Sequence, residues 1–398
     1  ERGRDRGVQR EGHGMIPYGR QDIDDADITA VVEVLKSDFI TQGPAVPRFE
    51  AALSDWCGVP HAVAMNSATS ALHVAYLALG LGPGDEFWTA PVTFVATANA
   101  ALYCGAEVRF VDIDPVTYTL DLDRLEAMLV VAEAEGRLPK IVAPVHLAGQ
   151  SCDMARLAEL ARRYGFRVVE DASHSIGAFF GNAPVGDCRF SDICVFSFHP
   201  VKIITTAEGG AATTRDPELA QKIELLRSHG VTRDPALMRN EPHGGWYYEQ
   251  VALGYNYRMT DLQAALGASQ MARLAGFIEA RHARRAVYDE QLRGLPLQLP
   301  HQAEGQRSAL HLYPVLVTQD APLDRRALFD ALRAAGIGVN MHYLPVYRQP
   351  WYVEHGFPQD ECPVAEDYYA RALSIPLYAT LSEADQAQVI ATLHRLLC

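Results

Sequence analysis

The stretch Val195-Phe196-Ser197-Phe198-His199-Pro200-Val201-Lys202, continued by Ile203-Ile204-Thr205-Thr206-Ala207-Glu208-Gly209-Gly210, decides how this chain is read. It begins as an apolar run of the kind a strand buried on both faces needs, then turns at a point carrying one serine and one lysine. A lysine at the mouth of a strand is ordinary surface charge when it stands alone. Lys202 does not stand alone. Upstream lies Phe166-Arg167-Val168-Val169-Glu170-Asp171-Ala172-Ser173-His174, a second strand that ends in an acid. In open α/β sheets, groups at the carboxyl ends of strands converge on one crevice.

Outward from this pair the chain alternates strand and helix. Strands are expected at His61–Met65, Glu86–Ala90, Val108–Asp112 and Ile141–Val145, with helices at Ala68–Leu79, Phe94–Tyr103, Leu122–Ala134 and Met154–Tyr164. That order predicts an α/β domain with a mainly parallel central sheet and flanking helices. Beyond it, a strand at Ala309–Val317, a helix at Arg325–Ala335, a strand at Gly338–Tyr343 and a final helix at Glu383–Leu397 indicate a smaller α+β unit. We therefore expect a large domain with an N-terminal arm over 15–269 and a small domain over 270–398. Residues 1–14 are rich in Arg, Gly and Glu, and read as a disordered extension. Residues 231–250 show no periodicity; a segment this long inside a domain is a functional loop or a mobile one.

The bulk numbers exclude several classes. The chain has 398 residues, 48% of them hydrophobic, and a formal net charge of −14. Away from its first residues it lacks a basic block, which argues against nucleic acid as a partner. It has no apolar run long enough for a membrane span, and no apolar leader core, so a cytoplasmic protein is expected. The seven cysteines are scattered, with no pair at metal-ligand spacing; they read as reduced and structural, and no metal is expected.

A lysine and an acid on neighbouring strands answer the needs of pyridoxal 5'-phosphate. Its aldehyde needs an amine that spends part of the cycle neutral, and its ring nitrogen needs a carboxylate to keep its proton. Lys202 and Asp171 are the candidates. The phosphate needs backbone N–H groups and hydroxyls at a helix N-terminus. Asn66-Ser67-Ala68-Thr69-Ser70-Ala71-Leu72 supplies them where a strand gives way to a helix. The ring also needs an apolar face, and Phe94 is placed to offer it. Taken singly, these are a surface lysine, two helix caps and a core phenylalanine; their order along one sheet sets them apart.

With these residues in view, the chain resembles the DegT/DnrJ/StrS sugar aminotransferase family of fold type I enzymes, from Met15 to Cys398. Asn66–His73, Thr93–Ala100, Asp171–His174, Phe196–Lys202, Leu226–Gly230 and His342–Tyr347 carry the likeness. Within the family these strings are most similar to the subgroup serving pseudaminic acid biosynthesis. The resemblance implies that Lys202 binds the cofactor aldehyde and shuttles the proton. It implies that Asp171 holds the ring nitrogen, that His174 lies near the ring hydroxyl, and that Ser197, Ala68 and Thr69 take the phosphate. Phe94 would stack on the ring, and Asn256 would reach the phosphate of a neighbouring subunit, so a homodimer with shared sites is implied. Tyr18, Asp38, Phe39, Ile40, Thr41, His342 and Tyr343 would face a UDP-linked ketosugar, with L-glutamate as amino donor. Three positions depart from the pattern: Ile203 follows the lysine where the subgroup often has proline, Ala207 replaces a glycine, and Ala68 stands where the wider family has glycine. Another nucleotide 4-keto or 3-keto sugar aminotransferase is the alternative within the family. A dehydratase of this fold is disfavoured, since such enzymes replace the lysine with histidine. A non-catalytic ligand sensor of this fold is the alternative outside enzymes.

Overall fold

Short apolar runs between residues 61 and 214 pair into one sheet. The computed structural model describes residues 14–398; of the extension read as disordered, all but Gly14 lies outside the described residues. Among the described residues this sheet has seven strands, in the order His61–Met65, Gly210–Thr214, Ile193–Ser197, Arg167–Asp171, Ile141–Ala143, Glu86–Thr89, Glu107–Phe110. Six run the same way. Gly210–Thr214 runs against both of its neighbours.

Both faces of the sheet are covered, because alternate side chains of each strand enter opposite cores. In the strand Ile193–Ser197, Ile193 and Val195 pack with the helices Ala68–Ala78, Ala96–Tyr103 and Pro217–Arg227. Cys194 and Phe196 face the other way, into a core with Phe49, Leu53, Leu274 and Phe277. The strand Gly210–Thr214 has no counterpart among the elements expected from sequence. Its residues are Gly, Ala, Ala, Thr and Thr, all buried, with none of the large β-formers that mark a strand. Their small size lets the chain pass beneath the start of the helix Ala68–Ala78.

A second sheet of three antiparallel strands, Leu297–Gln298, Tyr313–Val317 and Ala372–Ile375, forms the C-terminal body. Its core joins Tyr288, Tyr313, Leu328, Leu332, Val389 and Leu393. Ile16 of the N-terminal arm belongs to the same core and bridges Ile337. The strand expected at Gly338–Tyr343 does not form. Gly338 donates to the Ile16 carbonyl at 2.6 Å and Asn340 exchanges backbone bonds with Ser374, so this segment is pinned from two sides rather than laddered along one. Residue 270 sits inside one unbroken helix, Asp261–Gln291, about 46 Å long at 1.5 Å per residue. Arg273 in that helix pairs with Asp22, Asp24 and the fully buried Asp27, tying the arm and the helix Asp25–Leu35 to it.

All seven cysteines are free, six of them buried and Cys398 exposed. Burial pushes the thiols of Cys104, Cys152 and Cys188 up to about 12. No described helix is long and apolar enough to cross a membrane.

Ala207 explains one departure from the family pattern in physical terms: its φ is 67°, the left-handed region glycine occupies without strain. An L-residue there costs roughly 1–2 kcal/mol, and glycine gives back about 0.5–1 kcal/mol through the unfolded chain. Ala207→Gly should therefore raise stability in urea unfolding by about 0.5–1 kcal/mol at unchanged m-value.

Candidate active site

Asp171 and Ser197 end adjacent parallel strands, and the chain after Ser197 turns back over them. There Lys202 donates its N–H to the His199 carbonyl at 2.9 Å. The side chains at this edge open on a cavity of about 840 Å³. It is lined by Lys202, Asp171, His174, Ser197, Ala68, Thr69 and Phe94 from one body, and by His342 and Tyr343 from the other, with Tyr18 of the arm between. Ten of the fifteen residues singled out from sequence thus meet in one space.

Asp171 is 4% exposed, and both its oxygens are engaged. Oδ2 accepts from Thr97 Oγ1 at 2.6 Å, and Oδ1 accepts from the Ser173 N–H at 3.1 Å. Thr97 is shared in turn with Thr93, at 2.8 Å. These threonines were not recognised from sequence, although their i, i+4 spacing at a helix start is a usable signal. One hydroxyl and one backbone N–H, on opposite oxygens, set the plane of the Asp171 carboxylate, and with it the direction from which a ring N–H can approach.

Burial lowers the Lys202 ammonium from 10.5 to about 8, with the Asp171 carboxylate partly opposing the shift. The lowered value matters for chemistry, because the neutral amine is the form that attacks a carbonyl.

Ser67 caps the helix Ala68–Ala78, its side chain accepting from the Ser70 N–H. The N–H groups of Ala68 and Thr69 precede the helical ladder and line the cavity, where they present the positive end of the helix dipole. A Cβ on Gly210 would lie 2.4 Å from the Ala68 nitrogen, so only glycine lets the strand pass this close. Ser197 lines the same cavity. Phe94, 60% exposed, stands over the open side. Pyridoxal phosphate fits these groups: an anion cradle, a buried carboxylate with fixed oxygens, an amine with lowered pKa and an aromatic face.

Five predicted residues are not at the cavity of their own chain. Asp38, Phe39, Ile40 and Thr41 are exposed on the surface. They are held there by the long helix: Thr41 bridges Thr260, the Ile40 carbonyl accepts from the Asp261 N–H, and the buried Asp261 carboxylate accepts from Gly43 and Ala45. Asn256, a few residues before the same helix start, is also exposed and pairs through its backbone with Ser228. The segment 231–250 is not a bare loop. Val231–Thr232 pairs with Glu249–Gln250, and the Glu249 carboxylate accepts from the N–H groups of Arg239 and Asn240 and from the Tyr247 hydroxyl. Those donors, the Arg239 N–H foremost, lower Glu249 to about 2. Beyond the predicted set, His199, Glu208, His311, Asn340 and Gln349 also line the cavity.

A mostly parallel sheet with an amine, a carboxylate and a helix N-terminus around one crevice defines a pyridoxal phosphate-dependent transferase. Residues 21–394 match the model of the DegT/DnrJ/EryC1/StrS aminotransferase family. The chain is 38% identical over 384 residues to the UDP-4-amino-4,6-dideoxy-N-acetyl-beta-L-altrosamine transaminase of Campylobacter jejuni, covering 96% of this chain and 98% of that one. Its fold matches that of Helicobacter pylori PseC, an aminotransferase involved in the biosynthesis of pseudoaminic acid, with a TM-score of 0.87 and 31% identity over 96% of this chain and 99% of that one. It also matches Spr1654 of Streptococcus pneumoniae in its PMP form, with a TM-score of 0.88 and 32% identity over 96% and 98%. The chain belongs to the DegT/DnrJ/EryC1/StrS aminotransferase family, and it is a sugar aminotransferase that uses pyridoxal phosphate.

In cofactor-free protein, acylation by an amine-selective reagent should reach Lys202 with a midpoint near pH 8 rather than 10.5, because the depressed pKa exposes the neutral amine at lower pH. Peptide mapping of the labelled site against pH measures this directly.

Proposed function

We propose that this enzyme transfers the amino group of L-glutamate to the C4 keto group of a UDP-linked 6-deoxy N-acetyl hexosulose, yielding UDP-4-amino-4,6-dideoxy-N-acetyl-β-L-altrosamine. The observation that carries this reading is the 38% sequence identity, along nearly the whole chain, to a transaminase of that name. A cavity of about 840 Å³ supports it: the space extends from Lys202 to a wall of Tyr18, His342 and Tyr343. Aromatic rings and a buried imidazole suit the faces and hydroxyls of a sugar.

The bound cofactor supplies an aldehyde that carries the amino group and a ring that accepts the electron pair left on the substrate carbon. The protein's residues do the rest. Asp171, fixed by Thr97 and the Ser173 N–H, holds the proton on the ring nitrogen. Lys202, whose ammonium burial lowers to about 8, would take the proton from the amino-bearing carbon of the donor and deliver it to the cofactor carbon that carried the aldehyde. Ser197 and the first N–H groups of the helix Ala68–Ala78 anchor the phosphate, so the ring cannot drift as charge moves through it. Glutamate leaves its amino group and departs as 2-oxoglutarate; the ketosugar then receives that group.

The active form in this reading is a homodimer. Ile28, Val32 and Leu35 expose one face of the helix Asp25–Leu35, and Phe39, Ile40, Tyr103 and Leu253 are exposed as well. Phe39 and Ile40 adjoin Thr41 in sequence and Leu253 lies close before Asn256; Thr41 and Asn256 are two of the five predicted site residues that do not reach the cavity of their own chain. A second copy placing them in its neighbour's cavity accounts for both facts. A soluble cytoplasmic enzyme is consistent with these substrates.

Incubation with glutamate and a panel of UDP-, dTDP- and GDP-linked 4-keto and 3-keto sugars, read by product mass, should give the amine from the UDP N-acetyl 4-keto sugar at least about tenfold faster than from the others. Faster turnover of a different ketosugar would sink the substrate assignment and leave the reaction class intact. Lys202→Ala and Asn256→Ala homodimers should each be impaired. Mixing them should restore activity toward one competent site per hybrid dimer, whereas sites built within one chain would show no recovery.

A further inference from the structure

Behind Lys202 lie an arginine and a second imidazole that the chemistry above does not use. Arg281, on the long helix, is 2% exposed and makes no ion pair among the described residues. Its Nη1 donates instead to the carbonyls of Leu310 at 3.1 Å, Leu377 at 3.0 Å and His311 at 3.4 Å. Three carbonyls drawn to one buried cation fix Leu310, whose φ is 53°, and the residue that follows it. That residue, His311, is 4% exposed, and its Nδ1 has no partner. Its ring lies 4.3 Å from that of His174, centroid to centroid, at 47°.

A second tight turn holds His174 through its edge. The Ala148 N–H donates to His174 Nδ1 at 3.2 Å. Ala148 also has a left-handed φ, 59°, and a Cβ on neighbouring Gly149 would lie 2.7 Å from the Leu310 nitrogen and 3.1 Å from the His174 carbonyl oxygen. Ala309 donates to the Gly149 carbonyl at 2.9 Å, so the two turns interlock around the imidazole pair. Burial, with the charges of Lys202 and His342 adding, keeps His174 neutral by lowering its pKa well below the ordinary value. With Nδ1 occupied by a donor, the proton of the neutral ring is on Nε2. Nε2–H then donates to the Tyr343 hydroxyl oxygen, 3.2 Å away, which leaves the Tyr343 proton free to point into the cavity.

We propose that His311, clamped by Arg281, is a positioning residue that holds His174 in its Nε2–H tautomer and so aims the Tyr343 hydroxyl at the group bound over Lys202. His311 packs the face of the ring whose edge Ala148 holds. Without it the ring can rotate, and the link to Tyr343 breaks. None of this depends on which sugar the enzyme takes, so the test uses holoenzyme without substrate.

Three readouts decide it: the cofactor dissociation constant, the cofactor absorption maximum, and nitrogen-15 spectra of labelled histidines. His311→Ala should weaken cofactor binding about tenfold, shift the absorption maximum, and move the His174 resonances from the Nε2–H pattern to a tautomer-averaged one. His311→Phe, which fills the same space, should keep all three close to the parent. Tyr343→Phe should shift the absorption maximum likewise, and the double variant with His311→Ala should show no added shift, because both act through one contact. An unchanged His174 pattern and unchanged cofactor binding in His311→Ala would overturn the proposal. So would a His311→Phe variant as impaired as His311→Ala, since the effect would then belong to the His311 nitrogens. If His311→Ala does not fold, Arg281→Met is read the same way: tautomer averaging at His174 supports the clamp, and a parental pattern overturns it.

Discussion

The strand Gly210–Thr214 and the helix Ala68–Ala78 meet with no space between them, and much of the site hangs on that contact. Gly210 lies directly against Ser67 and Ala68, where any Cβ would overlap the backbone. Because the strand can pass there, the helix N-terminus sits over the sheet edge at the level of Ser197, which pairs with Gly210. A phosphate held at that corner places the rest of the cofactor along the strand ends, within reach of Asp171 and Lys202. A wider separation would move the anion cradle away from the amine. The antiparallel reversal is what brings a glycine to this point, since the turn after Lys202 must fold back beside the strand it came from.

The cavity's electrostatics follow from how little water reaches its walls. Desolvation favours the neutral form of every base, so Lys202 falls to about 8 and His342 to about 3. The Lys202 charge adds to the depression of His342 and His174. Lys202 is therefore the main cation of the chamber, and Asp171 its counter-charge, while burial holds the imidazoles of His174, His311 and His342 towards their neutral forms. Arg281 is a cation outside the chamber wall, spent on three carbonyls. That division suits a reaction in which one proton must move between defined atoms.

Two bodies build the chamber, and the chain joins them twice. The long helix Asp261–Gln291 runs through the position where sequence composition changes, so the boundary expected near residue 270 has no hinge-like break at that point. The N-terminal arm crosses from the Arg273 cluster to Ile337, carrying Tyr18 into the cavity on the way. Helical propensity continues smoothly through residue 270, so the change in element pattern that suggested a boundary there does not coincide with a break in the backbone. The arm's destination was illegible for another reason: the short run Met15-Ile16-Pro17-Tyr18 does not say which core it will enter.

Local pattern and residue chemistry were enough to place the parallel strands and the helix caps, and to single out ten residues that line one cavity, because each depends on neighbours in sequence. A strand end needs its apolar run, a cap its hydroxyl, and a lysine of this kind the buried strand before it. Packing decided what remained. The small-residue strand Gly210–Thr214 is a strand only because two others flank it. Gly338–Tyr343 is not one, because the arm and Ser374 hold it from two sides. Thr97 matters because a helix elsewhere brings it to Asp171, and His311 because Arg281, thirty residues away in the chain, pulls its turn into place. These are contacts between distant segments, whose distance and direction no local periodicity encodes.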